Sequence, residues 1–426
     1  MNGGTVHVVG AGIAGLSAAV RLADEGRKVV LHEAARFAGG RCRSYHDRTL
    51  DIRIDNGNHL LLSGNHAAID YLRRIGSSQR LKGPDSAIFD FADLASGEHW
   101  QLRLNDGRVP WWLFKAGHRV PGTRLREYFA AFAALRAKTN TPFGDVMNCS
   151  GPLYERLWRP VLLAGLNNEP RESSARLAGA MLRETLGAGG QACRPMVALE
   201  GLSSTFVDPA LTHLAAQGAR IRLGERLSGV EIENGRAVAL SFGKERKALA
   251  QNDALVMAVP PWIAQKMLPS LVVPDDFRTI LNIHFRVEPS ADQPLLLGVV
   301  NGLAEWVFAY RDHVSVTISS ADRLLSEPRE RLAARIWEEL AKIFGFAARQ
   351  PAWQILSERR ATFAATPQQD AKRPSARTSW TNIALAGDWT QTDLPATIEG
   401  AVRSGYRAAS IIMKEYETAH GRVAIH

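Results

Sequence analysis

The hydrophobic pattern changes period twice between Val6 and Glu33. Val6-His-Val-Val9 is an apolar run of strand length; apolar positions at Leu16, Ala19, Val20 and Leu22 then follow helical spacing, and Gly26 ends them. A second apolar run, Lys28-Val-Val-Leu-His-Glu33, completes a strand, helix, strand unit of the kind that builds a parallel sheet. Downstream, the pattern predicts helices over 178–186 and 209–218 and a strand over 220–223. Leu227-Ser-Gly-Val-Glu-Ile predicts a strand, with Asn234-Gly235 as the hairpin signal that turns it back. Asp253-Ala-Leu-Val-Met-Ala-Val reads as a strand running into Pro260-Pro261-Trp262. Ile383-Ala-Leu-Ala reads as a buried strand ending at Gly387-Asp388, with a helix starting near Pro395, proline being favourable in a first turn. Trp306, Phe308 and Tyr310 alternate with Val307 and Ala309, so on a strand their rings share one face. The fold class is α/β.

The 426 residues exceed what one compact core usually organises, which predicts two domains, or three. At 46% hydrophobic and 22% charged, the chain can bury a large core and is not of disordered composition. Cys42, Cys149 and Cys193 stand far apart with no CxxC pair, which argues against a disulfide framework or a metal site and fits a reducing, cytoplasmic compartment. No basic stretch opens the chain as a signal peptide would. The longest apolar stretch, Val8 to Val20, is broken by glycines and ends at Arg21, short of the roughly 20 residues of a bilayer crossing. Any membrane contact is therefore expected to be peripheral. The formal charge of +9 favours an anionic surface; without finger spacing, an RNP-like strand or a run of five basic residues, phospholipid is preferred to nucleic acid.

Between the first strand and helix stands Gly10-Ala-Gly12-Ile-Ala14-Gly15. Gly10 suits the tight turn, Gly12 lets backbone approach a pyrophosphate at the helix N-terminus, and Gly15 lets helix pack on strand. Ala14 belongs to the same fingerprint. Glu33, 18 residues beyond Gly15, ends the second strand where a ribose hydroxyl would be bound. Such a glycine turn can be purely structural, but strand, glycines, helix, strand and terminal acid in register point to a dinucleotide. A second match, Gly187 to Ala192, follows a predicted helix rather than a strand and is read as a loop, so no nicotinamide site is visible.

The residues after Glu33 decide which dinucleotide. Ala38-Gly39-Gly40-Arg41-Cys-Arg43 resembles the extended fingerprint of FAD proteins of the amine-oxidase and phytoene-desaturase superfamily, in which a glycine pair and an arginine follow the ribose acid. The glycines allow another close backbone approach, and Arg41 or Arg43 supplies charge beside phosphates or flavin. The resemblance continues in two distal pieces. It implies that the Val230 backbone meets the adenine, that Gly387-Asp388 holds the flavin ribitol, and that Ala396, Thr397 and Ile398 open a helix pointing at the flavin ring. It implies a Rossmann-like FAD-binding domain from segments 1–75, 196–261 and 376–426, with a mixed α+β substrate domain from 76–195 and 262–375.

Within the superfamily, Ile54-Asp-Asn-Gly-Asn-His-Leu-Leu-Leu-Ser-Gly-Asn65, Val109-Pro-Trp-Trp-Leu-Phe114, Arg119-Val-Pro-Gly-Thr-Arg124 and Asp388-Trp-Thr-Gln-Thr-Asp-Leu-Pro-Ala-Thr-Ile-Glu-Gly400 resemble, in order, the hydroxysqualene dehydroxylases of the bacterial hopanoid pathway. The resemblance implies a reductive step that takes hydroxysqualene, a triterpenoid, to squalene. Trp111, Trp112, Trp306 and Phe308 are then the candidate substrate-facing rings. Trp111 to Phe114 beside Lys115, His118 and Arg119 also reads as a lipid-interface pairing, or as a packed aromatic core next to a loop. The departing hydroxyl needs a proton. His59 is the first candidate, with Asp55, Asn58 and Tyr310 as alternates; Asn58 also counts among the cofactor contacts, and a loop histidine bonded to backbone is the competing role for His59. The rival activities are oxidative desaturation or amine oxidation, and a prenyl-binding carrier of Rab-escort type without redox chemistry.

Overall fold

The computed structural model describes residues 4–137 and 140–421. Five parallel strands lie in the order Arg220–Leu223, Lys28–Glu33, Thr5–Val9, Ala254–Met257 and Ile383–Leu385. The central ones are buried on both faces, which is why their sequences are near-continuous apolar runs. Ten of the twelve residues of helix Ile13–Asp24 are buried, because it lies between this sheet and the long helix Ile398–Gly421. That second contact depends on Gly405. A Cβ there would lie 2.2 Å from Ser17 Oγ and 2.3 Å from the Ala14 carbonyl, so the helices meet through backbone. Both helices follow the C-terminal ends of parallel strands, which puts their N-termini on one edge of the sheet.

A seven-stranded sheet runs Trp353–Phe363, Phe277–Phe285, Val314–Ile318, Trp306–Ala309, Leu296–Val300, Ile88–Asp93 and His99–Arg103. It is antiparallel except where Ile88–Asp93 meets Leu296–Val300. Val307, Val316 and Ile283 lie on the face covered by helix Arg329–Phe344. Trp306, Phe308 and Tyr310 lie on the other, with Trp112, Tyr128 and Trp158, so the alternation places these rings as expected. The Asn234-Gly235 turn also forms, with both φ angles positive between strands Leu227–Glu233 and Arg236–Phe242.

Two helix starts differ from expectation. The last helix begins at Ile398, three residues after Pro395, because the Thr397 hydroxyl accepts the Gly400 N–H at 3.0 Å and caps it. The helix expected over 178–186 is Ala175–Glu184, started by the Ser174 side chain accepting from the Leu177 N–H. The glycine-rich segment after it forms short 3₁₀ turns rather than a strand-to-helix loop.

Gly405→Ala is expected to lower the stability of the FAD-loaded protein by about 1–3 kcal/mol, the usual penalty for overpacking, since two of the three close neighbours are backbone atoms. Thermal melts of the variant and parent check it, and an unchanged Tm would refute the helix contact.

Candidate functional site

The three glycines after strand Thr5–Val9 differ in what surrounds them. Gly10 has φ +104°, and a Cβ on it would sit 2.3 Å from the Ala258 carbonyl. One on Gly15 would sit 1.8 Å from the Gly10 carbonyl. Both serve the chain's own packing. Gly12 has φ −73°, caps helix Ile13–Asp24 without a side-chain bond, and its Cβ would meet nothing within 4 Å. Ordinary residues adopt that backbone, so the open space is what the glycine preserves, in front of first-turn N–H groups that no side chain caps. Ala14 lies in that first turn.

Glu33 braces this turn: Oε2 accepts the Ala11 N–H and Oε1 the Ala35 N–H, both at 2.8 Å. The Gly39 N–H donates to the Ala11 carbonyl at 2.8 Å, and a Cβ on Gly40 would come within 3.4 Å of Gly12 Cα. The second glycine pair thus lies directly on the first loop. Val230 sits on the outer strand of a separate three-stranded sheet, joined to this edge by the Glu225 N–H donating to the Glu33 carbonyl at 2.8 Å.

Arg41 crosses to the far end of the chain, its Nη2 donating to both Asp388 oxygens at 2.8 Å. Its Nη1 donates to the Ala361 carbonyl. Asp388 is buried while 44% of the Arg41 side chain is exposed, so the pair borders open space. The Gly387 N–H is held by Ser404 Oγ at 2.8 Å, and Trp389 Nε1 donates to the Val259 carbonyl at 3.0 Å. Ala396 and Thr397 lead from this loop into the helix at Ile398. Sequence reasoning missed Arg373, fully buried, which donates to Thr392 Oγ1 at 2.8 Å and to the Asp388 and Thr390 carbonyls. No periodicity marks it.

The 55–59 segment separates the candidate acids. Asp55 faces away, accepting Ser44 Oγ at 2.5 Å and the Leu202 N–H at 2.9 Å, with burial pushing its pKa up to about 6. It fastens 44 to 201–203 and is occupied in doing so. Asn58 turns to the seven-stranded sheet, where the Tyr310 hydroxyl donates to its Oδ1 at 3.1 Å. Burial raises the Tyr310 phenol well above its ordinary pKa. His59 Nδ1 bonds the Gly57 carbonyl at 2.9 Å and must carry the hydrogen, leaving Nε2 with no protein partner among the described residues. Burial, with the Arg41 charge adding to it, holds this imidazole below 6.5. Neutral His59 therefore presents an accepting Nε2, and only the imidazolium can donate from it.

Of the candidate substrate rings, Trp306 packs edge-on to Phe91 at 5.8 Å, Phe308 stacks on Tyr310 at 6.4 Å, and Trp112 joins the same core through Tyr128. Trp111 stands apart, 64% exposed beside Phe114. Among the described residues no cluster of His, Cys, Asp or Glu could hold a metal.

A dinucleotide fingerprint, a second glycine pair with its arginine, and a closing carboxylate before a helix, gathered on one sheet edge beside an apolar sheet face, define an FAD-dependent oxidoreductase. The chain belongs to the flavin containing amine oxidoreductase family, whose model matches residues 13–413, and within it to the hydroxysqualene dehydroxylases. It is 54% identical to hydroxysqualene dehydroxylase of Rhodopseudomonas palustris over 96% of this chain and 98% of that one. The enzyme of that name from Sinorhizobium fredii is 49% identical over 97% and 99%. The fold is shared with cyclohexylamine oxidase from Brevibacterium oxydans at a TM-score of 0.70, with 17% identity over 97% of this chain and 100% of that one. The cofactor is FAD, and the open space at Gly12, the braced Glu33 and the Arg41 and Asp388 pair suit it.

Gly12→Val is expected to fold with near-parental thermal stability in the FAD-free state, since the chain itself leaves room for the side chain. It should lose bound FAD, because the branched side chain fills the space where backbone must approach phosphate. Flavin absorbance per protein checks this, and a normal flavin content in the folded variant would defeat it.

Proposed function

We propose that this chain catalyses the FAD-dependent reductive dehydroxylation of hydroxysqualene to squalene in bacterial hopanoid biosynthesis. The observation that carries this reading is the 54% identity to a hydroxysqualene dehydroxylase across nearly the whole of both chains. The FAD-binding and substrate domains with the boundaries given above are part of it. Bound FAD in its reduced form supplies a hydride. The rest falls to the protein: the allylic C–O bond must break and its oxygen take a proton, so that it leaves as water, while the hydride replaces it on carbon. Gly12, Glu33, Gly39, Gly40, Arg41, Gly387, Asp388 and the start of the Ile398 helix hold the cofactor, on a turn that the close packing at Gly10 and Gly15 shapes. Trp306, Phe308 and Tyr310 form a wall that excludes water, and their ring faces stabilise allylic positive charge. His59, as imidazolium, gives the proton from Nε2.

The substrate dissolves in lipid, and the surface supports peripheral docking on an anionic membrane. Of the eleven exposed large hydrophobic side chains among the described residues, five are Val109, Trp111, Phe114, Phe129 and Phe132. Exposed Lys115, Arg124 and Arg126 lie among them. Two exposed aromatic pairs, Trp111 with Phe114 and Phe129 with Phe132, in a stretch that also exposes cations, fit a headgroup interface. No helix among the described residues is long and apolar enough to cross a bilayer.

Anaerobic incubation with FAD, a reductant and hydroxysqualene should give squalene; a desaturated product would favour the oxidative rival, and a colourless protein that cannot be loaded with FAD would favour the carrier. His59→Ala should retain fold and flavin but lose about 10²–10⁴-fold in turnover, with His59→Gln nearly as slow, as for loss of a general acid. Because the donating form is the imidazolium and its pKa lies below 6.5, turnover should fall about tenfold per pH unit above that pKa. Both variants within about threefold of the parent would remove His59 from the mechanism.

Sedimentation with anionic liposomes should be strong at low salt and weaken as ions screen the surface over about 8 Å at physiological strength. The double variant Trp111→Ser/Phe114→Ser should lose it, and absence of binding by the parent would reject docking.

A further inference from the structure

The side chain of Asn58 is bonded at both ends to the seven-stranded sheet. Its Nδ2 donates to Ser315 Oγ at 2.7 Å and Thr317 Oγ1 at 2.9 Å, and its Oδ1 accepts the Tyr310 hydroxyl. Asn282, the cross-strand partner of Thr317, closes the group: its Oδ1 accepts Thr317 Oγ1 at 2.9 Å and the Asn58 N–H at 3.3 Å. Gly57 is pressed on the same asparagine, a Cβ there lying 3.1 Å from Asn282 Nδ2. This polar strip interrupts a face that is otherwise apolar at Trp306 and Phe308.

Apolar packing alone would hold the 56–59 loop against the sheet, but it would not fix its rotation. Hydrogen bonds to four side chains, three of them on two strands, do, because they are directional. What they fix leads directly into His59: Asn58 precedes it, and the Gly57 carbonyl is the acceptor that sets its tautomer and ring orientation. A buried polar group of this kind is stable only while every member is satisfied. We infer that Asn58 is a positioning residue for His59, and that Ser315, Thr317 and Asn282 are the seat that holds it. The inference rests on the reading of His59 as proton donor.

Thr317→Val is isosteric and removes one of the two short acceptors of the Asn58 amide, and Ser315→Ala removes the second, leaving only Asn282 Oδ1 at 3.5 Å; Thr317→Ser keeps the hydroxyl. None lies in the FAD motifs. The double variant Ser315→Ala/Thr317→Val should keep its flavin content and leave KM within about threefold while kcat falls about tenfold or more, since a misplacement of about 1 Å can cost about 10²-fold. Thr317→Ser should stay within about threefold of the parent in both. If the double variant loses flavin or folds poorly, Thr317→Val against Thr317→Ser decides, a kcat loss in the valine variant alone being the expected result. Equal loss in the two, or parental kcat in the double variant while His59→Ala is slow, overturns the clamp alone. Parental turnover of His59→Ala overturns the acid assignment and the clamp together.

Discussion

The contact between Arg41 and Asp388 joins residues 347 positions apart and holds the cofactor edge together. Helix Ile13–Asp24 and helix Ile398–Gly421 would meet at Gly405 without it, but the 39–41 segment that lies on the first glycine loop would not be tied to the loop before Ile398. The carboxylate is buried, so it needs a cation; the guanidinium is partly exposed, so it can satisfy the carboxylate and still face the cleft. Arg373 holds the same loop from behind through backbone carbonyls, with its own charge met by Asp370 at 3.2 Å. The loop between Gly387 and Thr392 is thus fixed by one cation on each side.

The sequence made legible whatever chemistry is local. Gly10, Gly12, Gly15 and Glu33 are decipherable because turn, helix start and strand end lie within one βαβ unit, and Asn234-Gly235 because a hairpin turn is set by its own two residues. Asn58 was not, since its partners lie 224 to 259 residues away and nothing in an isolated Asn-Gly-Asn-His run names them. His7 and His32 look like polar interruptions in buried strands. They prove to be stacked, with His32 bonded to Glu225 at 2.7 Å, a contact that also secures the edge strand Arg220–Leu223. Phe129 and Phe132 escaped notice because a short irregular helical segment leaves too few turns for a periodic signal.

The 55–59 segment divides its polar side chains by direction. Asp55 points to 44 and 201–203, Asn58 points to the seven-stranded sheet, and His59 follows them with its Nε2 left over. A segment anchored on opposite sides by its neighbours has little freedom to rotate, so the imidazole inherits its orientation from both halves of the molecule.

That rigidity bears on charge as well as position. A half-buried imidazole beside an arginine is driven toward its neutral form, by desolvation first and then by the Arg41 charge, with the Gly57 carbonyl pulling the other way. Were Arg41 unpaired, its full charge would act on His59, and the imidazolium would be rarer still. Asp388 draws both of its oxygens onto Arg41 Nη2, so the cation His59 faces is already half of an ion pair. The pairing that holds the closing loop to the 39–41 segment therefore also tempers the field at His59, so the roles proposed for Arg41 at the cofactor and for His59 as acid are compatible with one another.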